Sequence, residues 1–453
     1  MRHRTLNRRL GFALAPALAA GVSSCSTDNP VTADTGRTWH VQPDSTGDAP
    51  TIQAAMDSAR AGDVVALARG TYTWSSQRPQ GHSMVVVKPG VFLRGESPER
   101  TTLDAEKLGR VILCLSVGDV LIEGLTIQNG IGRGSSDGAP WVHGAGVYCD
   151  EESNPRISNC IIRNNEVPIA GGGIYCVNAE IADCQVVENI VFFEGFGAGI
   201  WSSGNLKVVG CVFRANSGFG DTGHVGGGIA AYRAVIADCL FEDNVARGFQ
   251  GAQGGAISIG EGSIDNCTFT GNSARASNRS PSGGAVSVAG TVAISNCVLA
   301  DNVASGNNSP GAGGAIGSTG RLPLMITGCT LVRNRATGQN PDPFGARPIG
   351  GIAAVNARVV STIIAWSEGL AVNSTDSTSC CDFYGNSLGD SLRGIELGGN
   401  FTADPLFCLA DSLSGRDFAL RAASPCADGK HPEGYPCGRI GAFGTSCVPE
   451  LSK

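Results

Sequence analysis

Gly254-Gly255-Ala256-Ile257, followed by Ile264-Asp265-Asn266-Cys267-Thr268-Phe269-Thr270-Gly271-Asn272, is one copy of a unit that recurs through this 453-residue chain. Its second half reads Ile-x-x-Cys-x-Φ-x-x-Asn, where Φ is a large apolar residue. The cysteine returns at Cys160, Cys184, Cys211, Cys239, Cys267, Cys297 and Cys329, in steps of 24 to 32 residues. Five positions after each cysteine stands an asparagine: Asn165, Asn189, Asn216, Asn244, Asn272, Asn302 and Asn334. Two positions after come Ile162, Val186, Phe213, Phe241, Phe269, Leu299 and Leu331, and three before come Ile157, Ile181, Val208, Ile236, Ile264, Ile294 and Ile326.

Alternation of Cys and Φ turns both inward on a strand. The three-residue step back to the aliphatic position breaks that period, so a bend is expected at Asn159, Asp183, Asp238, Asn266 and Asn296. A glycine-rich run ending in Val147, Ile174, Ile200, Ile229, Ile257, Val286, Ile316 or Ile352 opens each unit. Paired glycines allow a sharp turn and close approach of neighbouring backbones. Short strands whose residue types return once per coil bury an apolar side only by stacking on the next coil. The expected fold is all-β, a parallel β-helix of about ten coils, with Asn side chains bonded from turn to turn and the turn Asn in the left-handed region. In that reading the seven asparagines are scaffold, and the ladder cysteines are small, buried, inert thiols.

Composition agrees. Glycine fills 65 positions and charged residues only 16%, as suits many turns and few exposed helices. Gly-Gly-Ala-Ile at 254–257 and 313–316, Gly-Gly-Ala-Val at 283–286, and Phe-x-x-Asn at Phe213, Phe241 and Phe269 resemble the repeats of the polymorphic outer-membrane proteins. More widely, residues 38–366 resemble the right-handed, pectin-lyase-like β-helix superfamily. Members with such repeats often end in a membrane barrel; the Cys-rich end of this chain does not resemble one, and no barrel is expected.

Before the repeats, Pro50-Thr51-Ile52-Gln53-Ala54-Ala55-Met56-Asp57 has helix-start chemistry and one apolar face, and it resembles the N-terminal cap of that superfamily. After Trp366, residues 367–453 carry Cys380, Cys381, Cys408, Cys426, Cys437 and Cys447 without evident repeat spacing. They are expected to form disulfides in a capping region. Residues 1–24 read as an export signal: four arginines, a short apolar stretch, then small residues. Val22-Ser23-Ser24-Cys25 resembles a bacterial lipobox, implying lipidation of Cys25, a linker over 25–37 and an outer-membrane lipoprotein facing periplasm or cell surface. Removing that leader, which holds no acid, leaves 29 basic and 40 acidic residues, a formal −11. Such a balance disfavours nucleic acid and anionic lipid as partners. Membrane association is then expected only through the lipid, and the protein is expected to be monomeric.

Function is less legible. In the outward position after the aliphatic residue stand Tyr148, Tyr175 and Trp201, with Trp141, Phe192, Phe193, Phe196 and Phe219 in nearby loops. Stacked on the outside, the three rings form either a structural ladder or a platform for a sugar or protein ligand. Asp150-Glu151-Glu152 with Asp137 are candidates for calcium, and Asp221 with His224 for acid–base work, but solvated loops explain them better, since no repeat places a second acid in the same column. No catalytic residue, cofactor or metal is assigned from sequence; calcium remains open. The expected function is adhesion or binding of a polysaccharide or surface protein. A polysaccharide lyase or hydrolase is the alternative, to be favoured if Arg233 or Arg247 meets acids of adjacent coils, and a purely structural spacer is the third reading.

Overall fold

The computed structural model describes residues 36–132, 142–220, 226–307, 311–338, 348–373, 376–390, 395–408, 418–445 and 447. Cys25, Trp141, Asp137, Asp221 and His224 lie outside these residues. Within them the chain winds as a parallel β-helix in which each full coil contributes four short strands. In one coil these are Ile174–Cys176, Ala179–Ala182, Gln185–Val187 and Ile190–Val191. First and second strands stack into one sheet of 22 strands, third strands into a sheet of twelve, and fourth strands into a sheet of seven. Three coils fuse the first two strands, as in Ile200–Val209, Ile229–Ala237 and Ile257–Asp265.

Register follows the repeat. Ile174 pairs with Ile200, Val186 with Phe213, and Phe213 with Phe241, so like residues form continuous buried columns. The rings of Phe213, Phe241 and Phe269 stack at 4.8 Å between centroids, the coil-to-coil rise of a parallel sheet. At the expected bends, Asn159, Asp183, Asp238, Asn266 and Asn296 all adopt positive φ, between 47° and 55°. Glycine is required before the first strand: Gly254 has φ +65°, and a Cβ on Gly255 would stand 2.2 Å from the carbonyl oxygen of Gly284.

Two local readings change. The ladder asparagines are not themselves left-handed; positive φ falls on the residue before each, as at Glu188, Ala215 and Asp243. This frees Asn216 to accept from the backbone and side-chain amides of Asn189 at 3.1 and 3.0 Å, and to donate to Val186 O at 2.8 Å. Ladder cysteines are more than apolar filler. Cys211 sits at the corner, donates its thiol to Val209 O at 3.3 Å and accepts from the amide of Cys184 at 3.4 Å.

The stack continues past Trp366. Strands Leu370–Val372, Ser377–Ser379 and Asp382–Tyr384 remain in parallel register with the coil before them. Cys381, Phe383 and Asn386 repeat the Cys-x-Φ-x-x-Asn spacing. Cys381 therefore lies in the buried Cys column as a free thiol, not in a disulfide. The intervening coil hides the pattern because Thr362 and Ser367 replace Cys and Asn; Thr362 Oγ1 still bonds Val360 O at 2.9 Å and receives the Cys329 amide. Of the six candidate disulfide cysteines, Cys380 bonds Cys437 and Cys408 bonds Cys447. Cys426 is also free and buried, its thiol 3.2 Å from Asp382 Oδ2.

Beyond Phe401 the tail turns sideways and packs on the outside of the third-strand sheet. Phe407, Phe418, Leu420 and Ile440 cover Val298, Val332, Ile363 and Ala365. At the other end the helix Ile52–Ser58 buries Ile52, Ala55 and Met56 against the first coils, with Thr51 capping it through the Ala54 amide.

Candidate functional site

The aromatic column forms as the repeat predicts. Tyr148 pairs in register with Tyr175, and Tyr175 with Trp201; ring centroids are 4.9 and 4.5 Å apart and the planes within 17° of parallel. His143 stacks on Tyr175 at 4.7 Å, and the Arg110 guanidinium lies 4.7 Å over Tyr148. Arg110 is itself buried and donates to the carbonyls of His143 and Gly144. Burial, helped by Arg110, lowers His143 to about 4, leaving a neutral ring at physiological pH. Burial also raises Tyr175 to about 12.

This stacking limits what the column offers a ligand. A sugar packs on a ring's face, and both faces of Tyr175 are engaged by protein groups. Tyr175 therefore offers a ligand no free face. Past Trp201 the same position holds Ala230, Ser258 and Ser287, so the platform ends there.

A different surface is more open. On the outside of the fourth-strand sheet runs a groove of about 610 Å³, whose lining includes Phe192, Phe193, Phe219, Arg247, Phe249 and Arg275. Its floor is a register column, Phe219, Arg247, Arg275 and Ser305, which Thr337 continues beyond the groove. Strand alternation places this column outward because Gly218, Ala246, Ala274 and Ala304 beside it face inward. The rings of Phe192, Phe193 and Phe249 are 51%, 59% and 54% exposed, unusual for phenylalanine away from a binding surface. The Arg247 guanidinium sits 5.4 Å from the Phe219 ring centre.

Charge distinguishes the groove from the rest of the rod. Elsewhere an arginine meets an acid across the coil spacing: Arg94 with Glu123, Arg156 with Glu180, Arg214 with Glu242 and Arg233 with Glu261. In the groove Arg247 meets Arg275. Both are exposed, and among the described residues neither forms an ion pair. Like charges in register repel, and an anion between them relieves the repulsion. Arg233 does meet an acid of the next coil, but as one of several exposed surface pairs of the same kind.

Arg275 and Phe249 escaped the sequence reading, although a signal was present. Arg247 and Arg275 each stand three residues after a ladder asparagine, which fixes both to one outward column. The acidic candidates supply nothing comparable: Asp150 caps the Ser116 amide and the Ser153 hydroxyl. Among the described residues no three His, Cys, Asp or Glu side chains gather to hold a metal, and no helix is long and apolar enough to cross a membrane.

Residues 110–298 match the family model described as a right-handed beta helix region. Among solved structures the chain is similar to an alginate lyase of the PL6 family, AlyGC, at 14% identity and a TM-score of 0.46, covering 92% of this chain and 59% of that one. It is also similar to a mannuronic-acid-specific family 6 lyase from human gut microbiota, at 13% identity and TM-score 0.43, covering 84% and 89%. A third is the pectate lyase Pel9A, at 13% identity and TM-score 0.37, covering 90% and 96%. The chain thus spans less than two thirds of the first of these. No curated protein matches it.

Proposed function

With a right-handed parallel β-helix as the scaffold, we propose that this protein engages an acidic polysaccharide in the groove on its fourth-strand face. One observation carries the reading: Arg247 and Arg275 stack in register without acids, between exposed phenylalanine rings. Guanidinium forks suit carboxylates and sulfates, and the rings suit the apolar faces of sugars. The test is a glycan array with the mature protein beside an Arg247→Gln/Arg275→Gln variant, followed by an assay for unsaturated products on every hit. Binding of acidic glycans that the variant loses supports the proposal; equal binding by both proteins, or no glycan bound, overturns it.

If the groove also cleaves, elimination is favoured over hydrolysis. Hydrolysis uses two carboxyl groups flanking the scissile bond, and among the described residues the groove lining contains none. Elimination from a uronate moves the proton beside the sugar carboxylate to a base as the bond to the leaving sugar oxygen breaks; the two arginines can neutralise that carboxylate, and the base would come from outside the described lining. Unsaturated product in the assay marks a lyase, while binding without product marks an adhesive or structural surface. We also propose delivery to the outer membrane through lipid on Cys25. Cys25→Ser should shift the protein from the membrane fraction to the soluble fraction, and retention in the membrane would refute the anchor.

A further inference from the structure

We propose that the tail beyond Phe401 is a proton-governed latch: Asp382 holds it on the rod while its carboxyl is protonated, and ionisation loosens it without unwinding the coils. The tail leaves the last coil at Phe401, which bridges Asp382, and Cys437 ties it back to Cys380. Between these two roots it lays Phe407, Phe418 and Leu420 on the outside of the third-strand sheet. That seam is a cluster separate from the continuous core of the rod, so it can part while the core stays packed.

Coil and tail meet at Asp382. It continues an outward column of Val298, Thr330 and Ile363, and it is fully buried. One carboxyl oxygen accepts from Ala403 N at 3.1 Å, on the outgoing arm of the tail; the other lies 3.2 Å from Cys426 Sγ, on the returning arm. One amide and one weakly polar thiol do not replace the water that an ionised carboxylate loses on burial. The charges that weigh most on it are acids, Asp390 of its own coil and Asp404 of the outgoing arm. Two basic groups of the seam are engaged elsewhere: Arg333 pairs with Asp301 beside Phe418, and His431 bonds Gly399 O. Burial accordingly raises the carboxyl to about 7. With the tail lifted it returns to about 4. The closed form is therefore favoured fully below about pH 4 and loses that advantage as pH rises toward about 7.

Cys426 reports the latch, because its buried thiol reacts only when the tail lifts. The experiment labels the native mature protein with dithiodipyridine, which reacts with thiols even in acid, and locates the label by peptide mass. Each rate is divided by that of the urea-unfolded protein at the same pH, which removes the chemistry of the thiol itself. Protection of Cys426 should fall at least about tenfold between pH 4.5 and 6.5 and level off above about pH 7, while Cys211 in the core stays protected throughout. Asp382→Asn cannot ionise, so its Cys426 profile should be flat whatever its level. Asp376→Asn, at a buried acid whose contacts are Ala357 and Asn373 rather than the tail, should keep the wild-type profile. Protection of Cys426 that does not change with pH, the same fall in Asp382→Asn, or a parallel loss at Cys211, which marks global unfolding, overturns the latch.

Discussion

Two side chains per coil do work that hydropathy does not reveal. The corner cysteine combines a small volume with a donor and an acceptor, and its replacements elsewhere in the column keep that pairing ability. Thr362 and Asn400 accept the amides of Cys329 and Cys381 in the same manner. Cys211→Ser should accordingly be tolerated better than Cys211→Val, which orphans the Cys184 amide at a cost of about 1–3 kcal/mol. Urea unfolding midpoints of the two variants check this; a valine variant as stable as the serine variant would contradict it. Burial pushes the Cys176 thiol up to about 12, so this thiol should resist alkylation in the native state. Asn216→Leu should cost more than either cysteine change, because it breaks bonds to Asn189 and Asn244 in both neighbouring coils and to Val186 O.

At the scale of elements, the tail is a strap bound to the side of the rod. The Cys380–Cys437 disulfide, backbone bonds such as Gly441 N to Ser361 O at 2.8 Å, and an apolar seam hold it, while Cys408–Cys447 ties the tail to itself. Asp382 lies inside that seam, accepting from Ala403 N and Cys426 Sγ. Burial raises its carboxyl to about 7, and burial does the same to Asp376, which caps the Ala357 amide. A raised folded-state pKa means the folded form holds a proton that the unfolded chain releases near pH 4. Stability is therefore fullest below about pH 4 with respect to these groups and falls as pH rises toward about 7. Asp382→Asn should flatten that slope when unfolding temperature is followed from pH 4 to 8. An unchanged slope would show that the seam does not govern it.

Across the whole molecule, one continuous core runs from Val41 to Phe383, and every coil depends on the next. The two ends are protected differently. The capping helix inserts Ile52, Ala55 and Met56 at the start, so Met56→Asp should expose the first coil and produce oligomers by light scattering; a monomeric, fully folded variant would show that the cap is dispensable. Glycan binding should weaken with added salt, since exposed arginines act through screened charge. The outward aromatic column, by contrast, mainly braces the first strands, with Tyr175 held between neighbours on both faces.

The sequence by itself determined the coil: Cys-x-Φ-x-x-Asn and the paired glycines dictate inward columns, bends and register, because a stacked repeat permits only one alignment of like residues. It also placed Tyr148, Tyr175 and Trp201 in one column. It could not say which face of those rings stays free, since neighbouring coils consume faces that a linear pattern counts as exposed. The end of the stack escaped notice where Thr362 and Ser367 replaced Cys and Asn, leaving Cys381 to pass for a disulfide partner. Only the tertiary structure decided which cysteines approach closely enough to bond, because Cys437 and Cys447 come from a tail that obeys no period. The groove, too, was settled in three dimensions: Arg247 and Arg275 are 28 residues apart, and only winding brings two like charges together with no acid between them.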